Sequence, residues 1–142
     1  MQKDFKIHKV LSYWALRIVP SVILFQSLLY KFGDDAESVY IFTATGLGDD
    51  TRLLIAVFEF IAAFFLVYPP LSKEGARISL VITSFLLIVH LFIVGVDLPV
   101  EGGYSEGLQL FGMTLVAFLT SLLVFEQEVE GEKTYGGELS LK

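Results

Sequence analysis

Residues 52–69 read RLLIAVFEFIAAFFLVYP, an apolar stretch that is long enough to enter a bilayer and carries one carboxylate, Glu59, in its interior. A charged side chain at that depth costs about 2.5–3.5 kcal/mol on insertion scales. A cost of this size is tolerated where a neighbouring helix supplies a polar partner. The stretch therefore predicts a membrane helix that is packed in a bundle, with Glu59 turned toward another helix.

The composition of the whole chain also indicates a membrane protein. Its 142 residues are 54% apolar and include 13 Phe, and the mean hydropathy is +0.67. A soluble domain of this size needs a more polar surface than these residues provide. The net charge of −6 comes without a basic cluster of the kind that binds nucleic acid. We therefore expect the lipid bilayer as a partner and no nucleic acid.

The residue types present also exclude several kinds of site. Cysteine is absent, which removes thiol nucleophiles, disulfide relays and thiolate metal sites. One buried His and one buried Glu are too few ligands for a metal ion, so we predict no metal site. No Ser has the partners of a nucleophilic triad at a recognisable spacing. Catalytic and cofactor-binding residues are not identified by the sequence.

Four apolar stretches predict an all-α fold, a four-transmembrane-helix bundle with a short interfacial helix between helices 1 and 2. The predicted helices cover residues 10–32, 52–68, 76–96 and 107–125. Residues 34–50 have a centre that is too apolar for free solvent and too short to span a membrane, which favours an interfacial or re-entrant helix. Residues 1–126 would form the membrane domain, and the acidic residues 127–142 a disordered cytoplasmic tail.

The basic residues predict the orientation of the chain. Lys3, Lys6 and Lys9 precede the first helix, Lys73 lies between the second and third helices, and Arg77 lies at the start of the third. The interiors of the first and third loops contain no Lys or Arg. By the positive-inside rule, both termini lie in the cytoplasm.

Polar side chains on three predicted helices fall at one depth. Glu59 lies seven residues in from Arg52, His90 seven residues in from Asp97, and Thr114 seven residues in from Gly107. All three are therefore expected about 10 Å below the outer surface. Lys31 lies near the outer end of the first helix, and its side chain can reach down and neutralise Glu59. Arg17 shares the face of Lys31 but falls in the inner third. Arg17, Lys31, Glu59 and His90 are therefore the candidates for ligand binding or proton handling.

Each of these residues also has a structural interpretation. Glu59 can hold helices together through Lys31 or His90, and His90 can be an ordinary buried histidine. Arg17 can extend its side chain to the headgroups, and the Thr114 hydroxyl can bond to its own helix. The hypothesis of a functional site depends on the shared depth of these side chains, and the sequence leaves open whether Glu59 is structural or functional.

Two segments carry motifs of a known family. In RIVPSVILFQSLLYKF, residues 17–32, Arg17 and Lys31 are fourteen positions apart, and GLGDDTRLLIAVFEFIAAFFL, residues 46–66, contains Gly46, Gly48 and Glu59. This pattern resembles the DoxX-like family, which has an Arg and a Lys at that spacing and then a Gly-Leu-Gly turn before a helix with a buried Glu. The resemblance covers about residues 10–125. Family glycines are replaced here at four positions, namely Ser21, Leu28, Ala62 and Ala63.

The resemblance implies a multi-pass protein of the bacterial inner (plasma) membrane, with four helices. Some family members are subunits of membrane oxidoreductases, including a thiosulfate:quinone oxidoreductase, and others associate with redox partners without known chemistry of their own. We therefore expect an accessory or binding subunit of a membrane redox-associated complex, without independent catalysis or a cofactor. The partner would be a membrane or peripheral redox protein.

Two alternatives to an accessory subunit stay open. In a quinone-linked oxidoreductase subunit, Glu59 and His90 would exchange protons with a quinone, because quinone reduction needs nearby proton donors. In a small transporter, a bundle of this size would have to form a homo-oligomer. The ligand, the partner proteins and the oligomeric state are not decided by the sequence.

Overall fold

The computed structural model describes the backbone of residues 2–96, 98 and 107–140, and the side chains of residues 7–96, 98 and 107–132. The described part is helical and contains no strand, so the all-α prediction is confirmed. Its elements in chain order are α1 (Gln2–Phe32), α2 (Ala36–Ala44), α3 (Gly48–Val67), a 3₁₀ turn (Pro69–Leu71), α4 (Ser72–Val89), a π-helical segment (His90–Val94) and α5 (Gly107–Ser140).

Three stretches of helix in the described residues are long and apolar enough to cross a membrane. They are Ile7–Phe32, Pro69–Val94 and Gly107–Glu132, and they identify a multi-pass membrane protein. The fourth long helix, α3, has 20 residues and carries four charged side chains, Asp49, Asp50, Arg52 and Glu59. Because of these charges, α3 is not among the helices that are identified by length and composition as able to cross a membrane. A membrane crossing by α3 therefore stays a prediction.

The four long helices pack in a ring. The helix α3 lies between α1 and α4, and α5 closes the ring between α4 and α1, while direct contact between α1 and α4 is slight. One apolar cluster at the middle of the ring joins Leu24, Ala62, Leu66, Ala76 and Val124. A second cluster joins α4 to α2 through Ile41, Phe42, Ile82, Leu86 and Val89. The short helix α2 therefore covers one end of the ring.

The approach of α4 to α3 depends on Gly75. A Cβ atom built on Gly75 would lie 2.6 Å from the backbone nitrogen of Leu66 and 2.8 Å from the carbonyl carbon of Phe65. Ala62, Ala63 and Ala76 are also buried at this level. Small side chains at helix contacts let backbones approach closely, which is the usual way in which membrane helices pack.

The ends of the helices differ from the predicted ones at several points. The helix α1 begins at Gln2, eight residues before the predicted start, and α4 begins at Ser72, four residues before it. The α-helical part of α4 ends at Val89, where the backbone widens to the π-helical segment. The observed helices are longer because Lys, Glu and Gln are good helix formers, so the helix continues through the charged and polar residues next to an apolar stretch.

The connection between α1 and α3 forms a helix, as predicted. The Asp35 carboxylate caps α2 by accepting hydrogen bonds from the backbone nitrogens of Glu37 at 3.2 Å and Ser38 at 3.3 Å. Gly46 and Gly48, with φ of +70° and +71°, turn the chain from α2 into α3, since glycine adopts positive φ without strain. The position of α2 at the membrane interface stays a prediction.

The helix α5 continues beyond the predicted end at residue 125, as far as Ser140. Within that extension, Gln127 and Glu128 contact Arg17, and Glu132 pairs with Lys73. The division of the chain at residue 126 into a membrane domain and a disordered tail stays a prediction. The third predicted loop, between the helices predicted at residues 76–96 and 107–125, lies outside the described residues apart from Leu98.

Candidate functional site

The centre of the candidate site is a buried ion pair between α1 and α3. Lys31 Nζ lies 2.9 Å from Glu59 Oε1. Ser27 Oγ donates to the same carboxylate oxygen at 2.9 Å and accepts a hydrogen bond from Lys31 Nζ at 2.6 Å. The Glu59 side chain has no exposed surface, and that of Lys31 is 6% exposed. The prediction that Lys31 reaches Glu59 is confirmed.

The local sequence explains how these three side chains meet. Ser27 and Lys31 are four residues apart in α1, which places them on one face, one turn above the other. Glu59 lies on the buried face of α3 with Ala56, Ala62 and Ala63. These small neighbours let α1 approach α3 closely enough for a lysine and a serine to reach the same carboxylate oxygen.

A small cavity with several polar side chains in its wall borders this pair. Its volume is about 30 Å³, which gives room for one or two molecules the size of water. The cavity is partly open and lies among α1, α2, α4, α5 and the first residue of the π-helical segment, and apolar side chains such as Ile41, Phe42 and Leu86 form most of its wall. Its polar lining consists of Ser27, Tyr30, Lys31, Asp35, Ser38, His90 and Thr114. Lys31 and Ser27 therefore face Glu59 on one side and the cavity on the other.

His90 and Thr114 reach the same cavity from the opposite side of the bundle. His90 is 2% exposed, and its Nδ1 lies 2.9 Å from the carbonyl oxygen of Leu86. The Thr114 hydroxyl donates to the carbonyl oxygen of Leu110 at 2.8 Å, which is the structural role that the sequence left open for it. The structure brings Lys31, His90 and Thr114 to one cavity and pairs Glu59 with Lys31. The shared depth of Glu59, His90 and Thr114 below the membrane surface stays a prediction.

The helix changes type at His90. The π-helical segment begins at this residue and extends to Val94, where Gly95 follows with a φ of +78°. Single turns of π-helix are uncommon and occur frequently at functional sites, because the wider turn reorients a side chain. The ring of Phe111 on α5 lies 6.1 Å from the His90 ring, centroid to centroid, and holds it from that side.

Arg17 is not brought to this group. It precedes Lys31 by fourteen residues in α1, which is about 21 Å along the helix axis. Its Nε donates to Ser72 Oγ at 3.0 Å, its Nη1 donates to the Tyr13 carbonyl oxygen at 2.9 Å, and its Nη2 pairs with Glu128. The Arg17 side chain is 1% exposed. It joins the N-terminal part of α1 to α4 and α5, and its role in ligand or proton handling stays a prediction.

A second buried arginine, which the sequence analysis did not single out, holds the end of the bundle near Lys31. Arg52 donates to Asp34 Oδ1 at 2.5 Å, to Asp49 Oδ1 at 3.2 Å and to the backbone carbonyl of Lys31. Its side chain is 3% exposed. Because it bonds to the backbone of Lys31, Arg52 fixes the end of α1 against the start of α3 and so positions the ion pair. The sequence signal for this role was the presence of charged residues close to the end of α1 and the start of α3, namely Asp34, Asp49 and Arg52.

Replacing Arg52 by Gln is expected to lower the free energy of unfolding by about 1–2 kcal/mol, because hydrogen bonds to charged groups are lost. The effect is limited because the Asp34 and Asp49 side chains are 76% and 69% exposed, which screens their charges. Arg77→Gln is the matched control, since the Arg77–Glu74 pair is about half exposed on both sides. Unfolding in detergent with equal losses for the two variants would contradict the positioning role of Arg52.

The comparisons with known proteins give no relative. No family model, curated protein or solved structure matches this chain. Among the side chains that the structure describes, no group of three His, Asp or Glu residues lies close enough to hold a metal ion. The functional argument therefore depends on the geometry of the polar site.

Proposed function

We propose that this chain is an integral-membrane binding subunit of DoxX type, accessory to a membrane redox-associated complex and without independent catalysis. In this proposal α3 crosses the membrane with α1, α4 and α5, the membrane is the bacterial inner membrane, and both termini are cytoplasmic. The observation that carries the proposal is the buried Lys31–Ser27–Glu59 group at the edge of a small cavity that His90 also lines.

The free-energy cost of burying the Lys31–Glu59 ion pair supports a role beyond packing. Taking two charges out of water costs several kcal/mol per ion, and a buried ion pair is often no more stabilising than apolar residues of the same volume. A bundle that needed only stability would be served as well by a leucine pair. Charged residues inside membrane segments commonly mark ligand or ion pathways. The site also has a cavity next to it, which a purely structural pair does not require.

The contact between α1 and α3 is compatible with the family resemblance. Two of the positions where this chain lacks the family's glycines, Ser21 and Ala63, are in contact, because Ser21 Oγ donates to the Ala63 carbonyl oxygen at 2.7 Å. A hydrogen bond from a hydroxyl on one helix to the backbone of the next replaces part of the stabilisation that closer packing at glycines would give. Lys31 and Glu59, which match the family's charged positions, are the two residues that form the buried pair.

The volume of the cavity favours a binding subunit over a quinone-linked enzyme. About 30 Å³ holds one or two water-sized molecules, and a quinone ring is several times larger. A quinone that exchanged protons with His90 would therefore require the elements around the cavity to move apart. The accessory role requires no such movement.

Mass spectrometry of the proteins and small molecules that co-purify with the chain in native lipid tests the proposal. We expect a redox protein to be retained by the wild type and largely lost from Glu59→Gln. Glu74→Gln is the matched control, because Glu74 is half exposed at the start of α4. A Glu59→Gln variant that keeps every partner and only loses thermal stability would contradict the proposal. Retention of a quinone would favour the oxidoreductase instead.

A further inference from the structure

Two buried atoms at the small cavity have unmet hydrogen-bonding capacity. Ser38 Oγ and His90 Nε2 have no hydrogen-bond partner among the residues that the structure describes. Both residues line the cavity, Ser38 from α2 and His90 from the segment after α4. They are 6% and 2% exposed. Buried polar atoms in folded proteins are nearly always satisfied by protein or by a bound molecule, so these two atoms point to an occupant.

The hydrogen bond on the other side of the His90 ring defines what the occupant must donate. A carbonyl oxygen can only accept, so the contact of Nδ1 with the Leu86 oxygen at 2.9 Å places a hydrogen on Nδ1. In the neutral ring, Nε2 is then a pure acceptor. The occupant therefore donates a hydrogen bond to His90.

The other side of the cavity offers hydrogen-bond donors. The Lys31 ammonium has three N–H groups, and two of them are directed at Ser27 Oγ and Glu59 Oε1. The third N–H and the Ser38 hydroxyl are available to an occupant that accepts. A molecule that both donates and accepts in so small a volume is hydroxylic and about the size of water.

We propose that the cavity is a binding site for a water-sized hydroxylic molecule that joins His90 to Lys31 and Ser38. The inference rests on the proposed function in taking this cavity as the ligand site of the protein. The bound molecule extends the hydrogen-bonded chain that starts at Glu59 and passes through Lys31, so that it reaches His90 in the π-helical segment after α4. Side chains of α1, α2, α3 and the π-helical segment then form one connected polar group inside the bundle.

Nuclear magnetic resonance of the full chain with labelled histidine tests the site directly. The protein has 2 His, and His8 is exposed on α1, so it serves as an internal reference for surface solvent. With water as the probe, we expect the His90 ring to show a nuclear Overhauser effect from a long-lived bound molecule. We also expect the His90 ring to carry its hydrogen on Nδ1. The His8 ring is expected to show only short-lived contacts with solvent water.

Two variants of Ser38 distinguish a bound molecule from general wetting. Ser38→Val fills the cavity and is expected to abolish the signal of the bound molecule at His90. Ser38→Ala removes the hydroxyl but leaves the space, and it is expected to retain the signal. If Ser38→Val does not fold, Thr114→Leu fills the same cavity from α5. A missing signal in the wild type, a hydrogen on Nε2, or a signal that survives both filling variants would overturn the inference.

The results also separate this inference from the proposed function. Long-lived water at His90 in a protein that co-purifies with no partner or ligand would support the inference and contradict the proposed function. A larger co-purified ligand in contact with His90 in place of water would overturn the inference and leave the proposed function standing.

Discussion

Lys31→Met is expected to destabilise the bundle by about 3–5 kcal/mol, the usual cost of removing one partner of a buried ion pair. Methionine keeps most of the length of the side chain but not the charge, so Glu59 retains only its hydrogen bond from Ser27. Because the Glu59 side chain has no exposed surface, water cannot replace the lost partner. The measurement is the free energy of unfolding by denaturant titration in detergent micelles.

Two further variants show whether the loss comes from the unpaired charge. Lys31→Met combined with Glu59→Leu is expected to recover most of the lost stability, since apolar residues of similar volume replace a buried ion pair at little cost. Lys73→Met is the matched control, because the Lys73–Glu132 pair is partly exposed and such pairs contribute about 0–1 kcal/mol. A double variant that is as unstable as the sum of its two single changes would contradict this account.

Gly75→Ala is expected to lower the free energy of unfolding by about 1–3 kcal/mol, the typical cost of overpacking. The added methyl group would meet the backbone of Leu66 and Phe65 at 2.6–2.8 Å. These are backbone atoms rather than the end of a flexible side chain, so α4 has to move away from α3. At a helix position with free space around the Cβ atom, the same substitution stabilises by about 0.8–1.0 kcal/mol through helix propensity. A loss of stability in Gly75→Ala would therefore indicate the close contact, and a gain would indicate its absence.

Gly112→Ala is the matched control for Gly75→Ala. Gly112 also lies inside a helix, but a Cβ atom there has nothing within 4 Å. We therefore expect Gly112→Ala to be neutral or stabilising in the same unfolding experiment. If both alanine variants gain stability, the close contact between α3 and α4 at Gly75 does not exist in the membrane-embedded protein.

Much of the polar site was predictable because helices have a fixed rise per residue. Counting residues from the helix ends placed Glu59, His90 and Thr114 at one depth, and the structure puts His90 and Thr114 beside one cavity and Glu59 on Lys31. The cost of a lone charge in lipid predicted that Glu59 would have a partner. Ser27 was missed, although its position one turn before Lys31 was a readable signal.

Other contacts were beyond sequence reasoning because they join distant parts of the chain. Arg17 pairs with Glu128 in the part of α5 that lies beyond the predicted helix end. Nothing in the local pattern of either segment indicates the other. Arg17 and Lys31 share a face of α1, but they lie far apart along it. Different parts of the chain pack against the two ends of this face, so the two residues have different partners.

The sequence by itself determined that this chain is helical, that it belongs in a membrane and that Glu59 needs a polar partner such as Lys31 or His90, because apolar length and the cost of a charge in lipid are properties of each segment alone. Only the tertiary structure decided that Lys31 and not His90 pairs with Glu59, that Arg52 holds the backbone of Lys31, and that His90 and Ser38 face a cavity of about 30 Å³. The reason is physical: a cavity and a shared hydrogen bond depend on the distance between helices, and small residues such as Gly75 and Ala56 set that distance only once the helices are packed.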